Sequence, residues 1–247
     1  MADTHSSEIS RPLSTEVAGA PLRRGEKSDK APRGDGILVI GLGRFGSSIA
    51  LTLERLGHDV LAVERSADRV QHYTGRFPLV EADATNPEAL AQIGAKDFPV
   101  AVVGVGTSLE ASVLITGNLV DLGMSQIWAK AISAEHSRIL HRIGAHHVVL
   151  PEADAGNRVA HLVSGKLLDY IEVEDDFTIV KMRPPKETQG FTIGQSQIRK
   201  RYGVTVIGVK PPGEDFVYAT EETRISANDI LIVSGDAELL ERFAARP

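Results

Sequence analysis

Short apolar runs alternate with amphipathic stretches through the middle of the chain. Ile37–Ile40 is four consecutive apolar residues, the length of a buried strand. An amphipathic stretch over Phe45–Leu56 follows and reads as a helix stopped by Gly57. The same alternation recurs down the chain. Asp59–Glu64, Pro78–Ala82, Val100–Val105, Gln126–Lys130 and His147–Leu150 read as further strands. Between them lie a short helix capped by Ser66, a helix capped by Thr85 or Asn86 with Pro87 in its first turn, and helices over Ser108–Leu122 and Ser133–Ile143. Gly123 and Gly144 stop the last two, and Pro151 ends the sixth strand. Six strands with five intervening helices predict an α/β domain built on a doubly wound parallel sheet. The expected strand order is 3-2-1-4-5-6, with a ligand at the reversal between the first and fourth strands.

The pattern then changes. Val159, Leu162, Val163, Leu167 and Leu168 recur near helical spacing, which predicts one helix over Asp154–Tyr170. From Ile171 the period is that of strands, at Phe177–Met182, Val204–Lys210, Phe216–Ala219 and Asp229–Val233. Helices are expected at Ile193–Tyr202 and Ala237–Phe243, giving a small α+β domain marginal enough for pairing with a second copy. Residues 1–34 are rich in Ser, Pro, Gly, Arg and Lys and poor in large apolar side chains, so a disordered extension is expected there. The expected division is therefore 1–34 extension, 35–152 nucleotide-binding domain, 153–170 connecting helix and 171–247 C-terminal domain.

Composition narrows the classes. Apolar residues make up 42% of the chain and charged residues 24%, as in ordinary globular domains. A net charge of −6 argues against nucleic acid as the main partner. The absence of cysteine removes disulfides, thiolate nucleophiles and thiolate metal sites. No apolar run reaches the ~18 residues of a membrane span, and the N-terminus carries no apolar signal-peptide core. A cytoplasmic protein without direct membrane insertion is expected.

The chemistry gathers at the first strand. Gly41, Gly43 and Gly46 follow it at G-x-G-x-x-G spacing and open the first helix. The first glycine permits the turn, the second lets a diphosphate approach the backbone, and the third lets helix and strand pack closely. The helix N-terminus then faces the anion. Glu64 ends the second strand, 18 residues beyond Gly46, where an acid accepts from ribose hydroxyls. These features together predict a Rossmann-like nucleotide site. Arg65 can accommodate a 2′-phosphate, although Glu64 would repel one. Asp83 can accept from an adenine amino group, and Thr85 either lines the site or only caps a helix. Gly104 and Gly106 end the fourth strand and leave room for a ligand. Arg44 lies inside the glycine turn, either as a solvated side chain or as a charge-assisted phosphate contact that can extend to a third phosphate or a neighbouring subunit.

Enzyme motifs do not accompany this site. Tyr73, Tyr170, Tyr202 and Tyr218 lack the Lys four residues on that a short-chain dehydrogenase needs. No Walker lysine and no H-E-x-x-H occur. His136 and His141 read as solvated helix residues, and His146 and His147 as a turn into a strand. The nucleotide therefore reads as a ligand rather than a coenzyme. The alternatives are a soluble NAD-dependent oxidoreductase and an NAD-sensing repressor, the latter disfavoured by the acidic charge.

Val39–Gly46, Gly57–Glu64, Ala82–Thr85, Ile127–Lys130, Ile143–Ala145 and Pro151-Glu152 together resemble the RCK (KTN/TrkA) regulators of Ktr- and Trk-type potassium uptake. The segment from Ile225 through Asn228–Val233 to Phe243 resembles that family's C-terminal domain. The resemblance implies a non-enzymatic gating subunit beneath a separate membrane pore subunit, built as homodimers, with the helix over Asp154–Tyr170 as the crossover that joins protomers, that assemble into octameric rings. It implies ATP, ADP or NAD(H) bound by Gly41, Leu42, Gly43, Arg44, Phe45 and Gly46, by Glu64 and Arg65, by Asp83, Ala84 and Thr85, and by Gly104, Val105, Gly106 and Lys130. Glu152 matches a carboxylate placed near the phosphates for Mg2+ or another cation, and reads otherwise as a helix-start acid. Some relatives bind cyclic di-AMP between C-terminal domains, with which Arg199 and Val204–Val209 are compatible. Many relatives carry Asp where this chain has Glu64.

Overall fold

The computed structural model of the chain describes residues 36–174 and 176–246. The expected extension over 1–34 lies outside the described residues. Six parallel strands form the first sheet: β1 (Ile37–Ile40), β2 (Val60–Glu64), β3 (Leu79–Glu81), β4 (Val100–Val103), β5 (Gln126–Lys130) and β6 (His147–Val149). Their order is β3-β2-β1-β4-β5-β6, as the alternation of patterns predicted. Five helices connect them: α1 (Arg44–Arg55), α2 (Ala67–Tyr73), α3 (Pro87–Gln92), α4 (Leu109–Asp121) and α5 (Ala134–Ile143).

Pleating sends successive side chains of a strand to opposite faces. Leu38 and Ile40 of β1 enter one core with Ala101 and Val103 of β4, Ile127 of β5 and Leu119 of α4. Val39 enters the other core, with Ala50 of α1 and Ala62 of β2. Each fully buried Leu or Ile contributes about 1.5–3 kcal/mol of transfer free energy. Both faces of β1 are thus dry, and its C-terminal end is held rigidly where the chain turns into α1.

Polar caps close most of the helices. Asn86, not Thr85, caps α3 by accepting from the Glu88 N–H. Ser108 and Ser133 cap α4 and α5. Ser66 occupies the N-cap position of α2 but makes no side-chain capping bond.

The helix expected over Asp154–Tyr170 is shorter. α6 spans Pro151–Leu162, Gly165 turns the chain at φ 73°, and Leu167–Glu174 form strand β7. Leu167 and Leu168, which fitted a helical period, lie in a strand because the glycine breaks the helix before them. β7 joins β8 (Phe177–Met182), β9 (Thr205–Lys210), β10 (Val217–Tyr218) and β11 (Ile230–Gly235) in an antiparallel sheet ordered β10-β9-β11-β8-β7. This sheet has five strands where the sequence predicted four. The single helix expected over Ile193–Tyr202 is two, α7 (Ile193–Ser196) and α8 (Ile198–Tyr202), parted at Gln197 with φ 47°. α9 (Ala237–Ala244) lays Leu240 and Phe243 onto the sheet with Ile198, Val233 and Met182. Among the described residues no helix is long and apolar enough to cross a membrane.

Candidate functional site

A groove opens at the C-terminal ends of β1 and β4, where the strand order reverses. It encloses about 130 Å3. Of the residues singled out from the sequence, Gly41, Gly43, Glu64, Arg65, Asp83, Ala84, Thr85, Gly104, Val105 and Gly106 line it. Leu42, Arg44, Phe45, Gly46 and Lys130 do not line it. Leu42 is buried in the core beneath α1, and Gly46 in the helix itself. Arg69, Thr107, Ser108, Ala111 and Ile115 also line the groove and were missed by sequence reasoning.

The three glycines have different physical reasons. Gly41 has φ +88°, and a Cβ there would lie 2.7 Å from the Val105 side chain. A Cβ at Gly46 would overlap the Gly41 carbonyl oxygen. Both are demanded by the fold. A Cβ at Gly43 would meet nothing within 4 Å, so the protein's own packing does not explain its bare backbone.

Gly43 is also the N-cap of α1, and it supplies no side-chain cap. The first turn of α1 contains no acidic residue. The first intrahelical bond runs from the Ser47 N–H to the Gly43 carbonyl, leaving the earlier N–H groups outside the helix ladder. The positive end of a twelve-residue helix thus stays open beside the groove.

Glu64 is 5% exposed. Its Oε2 accepts from the Leu42 N–H at 2.7 Å, and its Oε1 from the Ser66 N–H at 2.8 Å. The carboxylate therefore clamps the glycine turn to the start of α2. Arg69 lies 3.4 Å from the same Oε2. The Leu42 N–H is taken by Glu64, so the open donors belong to the helix start instead.

Asp83 folds back on its own loop. Its Oδ1 accepts from the Thr85 hydroxyl at 2.7 Å and the Thr85 N–H at 3.0 Å. Arg65 lies 3.7 Å from Oδ2. The Thr85 hydroxyl bond, its backbone bond and the Arg65 charge hold the Asp83 pKa below the usual carboxylate value. Thr85 is thus a turn-forming partner of Asp83.

Beyond the glycine turn, Lys130 and Glu152 meet at 2.7 Å. The Lys130 stem passes over Gly106, and its ammonium lies 5.8 Å from the Phe45 ring centroid. The Lys130 bond comes first, with backbone bonding and the Arg44 charge behind it, in holding the Glu152 pKa below its ordinary value. Arg44 itself is exposed at the start of α1. No group of three or more His, Cys, Asp or Glu that could hold a metal ion occurs among the described residues. Glu152 alone, paired with a cation, does not fit a metal site within one protomer.

The histidines differ from expectation. His136 is fully buried rather than solvated, and accepts from the Ile132 N–H through Nδ1 at 3.3 Å. Its position four residues before buried Leu140 on α5 carries the signal, since the two share a helix face. In the C-terminal part of the chain, Arg199 is exposed on α8, whereas Val204, Val206 and Val209 fill their own core. They are not available together to a ligand within one protomer.

A switch-point groove on a parallel sheet, followed by a small antiparallel sheet, defines a Rossmann-like α/β domain joined to a small α+β domain. Residues 37–151 match the TrkA-N domain and residues 180–246 the TrkA-C domain. The chain is 34% identical over 207 residues to Ktr system potassium uptake protein A of Bacillus subtilis, covering 83% of this chain and 93% of that protein. It is 35% identical over 210 residues to Ktr system potassium uptake protein C of the same organism, covering 84% and 95%. Among solved structures, the GsuK RCK domain superposes with a TM-score of 0.61 at 21% identity, covering 87% of this chain and 48% of that one. The GsuK channel bound to NAD gives 0.62 at 21% identity, covering 92% and 42%. This chain spans about half the length of those solved chains, and at such identity the likeness is one of fold. The chain belongs to the RCK (TrkA-N/TrkA-C) family of Ktr-type potassium uptake regulatory subunits.

Proposed function

We propose that this protein is a nucleotide-responsive gating subunit of a potassium uptake system, with ATP, ADP or NAD(H) in the switch-point groove. The observation that carries the reading is the uncapped start of α1, which leaves backbone N–H groups and a positive helix end beside a Gly43 whose missing side chain nothing in the protein needs. That arrangement suits a diphosphate. Glu64 holds the ribose, while Asp83, Ala84 and Thr85 wall the adenine side opposite Gly104, Val105 and Gly106. Arg44 and Lys130 take the terminal phosphate, from the same protomer or its neighbour. The GsuK channel bound to NAD has the same fold, which keeps the dinucleotide among the ligands to be tested.

Pairing of copies fits α6. None of its twelve residues is buried, and Val159 is 53% exposed. Its last turn packs within the protomer, with His161 stacked on Tyr170 and Leu162 against the second core, whereas residues 152–160 stay exposed and suit a joint between copies that assemble into a ring. The membrane pore is then a separate chain, as the potassium uptake names of the relatives suggest. Nucleotides shift the ring between shapes only as far as their affinities for the two shapes differ. Calorimetric titration of the full chain with ATP, ADP, NAD+ and NADH tests the reading. Saturable binding of at least one is expected, weakened in Glu64→Ala. No binding of any would overturn it.

A further inference from the structure

The loop leaving β3 forms one wall of the groove. Most bonds that shape it are local, from Thr85 to Asp83 and from Glu88 to Asn86. Asn118 reaches it from far along the chain. Its Nδ2 donates to the Thr85 carbonyl at 3.0 Å and to the Ala84 carbonyl at 3.3 Å. Both neighbours are acceptors, which fixes the amide orientation. Asn118 lies on α4, the helix whose Ala111 and Ile115 line the groove. One side chain therefore ties two walls of the groove together.

We propose that Asn118 is the positioning residue that sets the width of the base slot and selects adenine over guanine. The inference rests on the nucleotide reading above. The Asn118 amide satisfies the Ala84 and Thr85 carbonyls, and Thr85 satisfies Asp83 Oδ1. Asp83 Oδ1 is taken by Thr85, which leaves Oδ2 as the loop's open carboxylate oxygen. Guanine presents N1–H and N2–H2 donors side by side, and one acceptor leaves at least one of them unpaired, which is disfavoured in a slot closed to water. Adenine needs a single acceptor for its amino group, and the half-exposed Asp83 carboxylate, loosely paired with Arg65, is within the same loop.

The test compares ATP, GTP and inorganic tripolyphosphate on the full chain by calorimetry. Asn118→Leu removes the donors at similar volume, and Asn118→Gln keeps them. Wild type is expected to favour ATP over GTP. Asn118→Leu should narrow that preference about tenfold, the worth of one hydrogen bond, by freeing two carbonyls and loosening the wall. Tripolyphosphate, which has no base, should bind as before, and Asn118→Gln should restore part of the preference. An unchanged preference in Asn118→Leu, or an equal loss for all three ligands, would overturn the proposal. If Asn118→Leu does not fold, a preference fully retained in Asn118→Ser, which cannot span both carbonyls, would overturn it, and a narrowed one would support it. Wild type that binds none of the three would instead defeat the nucleotide reading itself.

Discussion

The ammonium of Lys130 lies 2.7 Å from the carboxylate of Glu152, joining the end of β5 to the first turn of α6. The pair is unequal. The Lys130 side chain is 13% exposed and packed over Gly106, whereas the Glu152 side chain is 63% exposed. An ion pair with one solvated partner is held weakly. A phosphate oxygen can therefore take Lys130 from Glu152 at little loss.

Lys130→Met should weaken ATP binding about tenfold or more, the scale of one charge-assisted hydrogen bond, and ADP binding less. Calorimetry with both nucleotides checks this. An ATP affinity equal to wild type would remove Lys130 from the phosphate end of the site.

Arg44→Ala should also weaken ATP more than ADP. Arg44 is exposed at the start of α1, where its charge already acts on Glu152. It is not one of the residues that line the groove, so its effect should reach the outermost phosphate rather than the nucleoside. The same titrations read the ATP-to-ADP ratio, and an equal loss for both would end the terminal-phosphate role.

Acid should destabilise the fold through His136. Burial holds the His136 pKa below its usual value of 6.5. The unfolded chain then binds the proton more readily than the folded chain, so this contribution to stability is whole above pH 6.5 and falls as the pH drops below it. The melting temperature should fall between about pH 7.5 and about pH 5.5, and fall less steeply in His136→Asn, which keeps an acceptor for the Ile132 N–H. Equal slopes in the two proteins would show that other groups carry the acid sensitivity.

Val159→Arg on α6 should reduce the assembly to smaller species in light-scattering sizing while leaving the nucleotide groove intact. The reason is the unbroken exposure of α6 over residues 152–160. A mass equal to wild type would place the joint between copies elsewhere.

The parallel sheet was legible because each buried strand is a short apolar run, and each helix between them ends on a glycine or begins on a cap. Gly41, Gly43 and Glu64 were legible because spacing alone brings them to one end of two neighbouring strands. Other residues left weaker marks. Arg69 reads as a solvated charge on a short helix, and only the fold brings it to Glu64. Asn118 stands 33 positions from Thr85, and no local pattern links them. Leu167 and Leu168 satisfy helix and strand periods alike, and Gly165 was the stop signal between the two readings. His136 looked polar and therefore exposed, but a neutral imidazole can fill a core position when one nitrogen is paired.

Small-angle X-ray scattering of the full chain, saturated first with ATP and then with ADP, tests the gating account most directly. The account expects two different scattering curves at one molecular mass, with the difference abolished by Arg44→Ala. Superimposable curves, with calorimetry confirming that both nucleotides are bound, would contradict it.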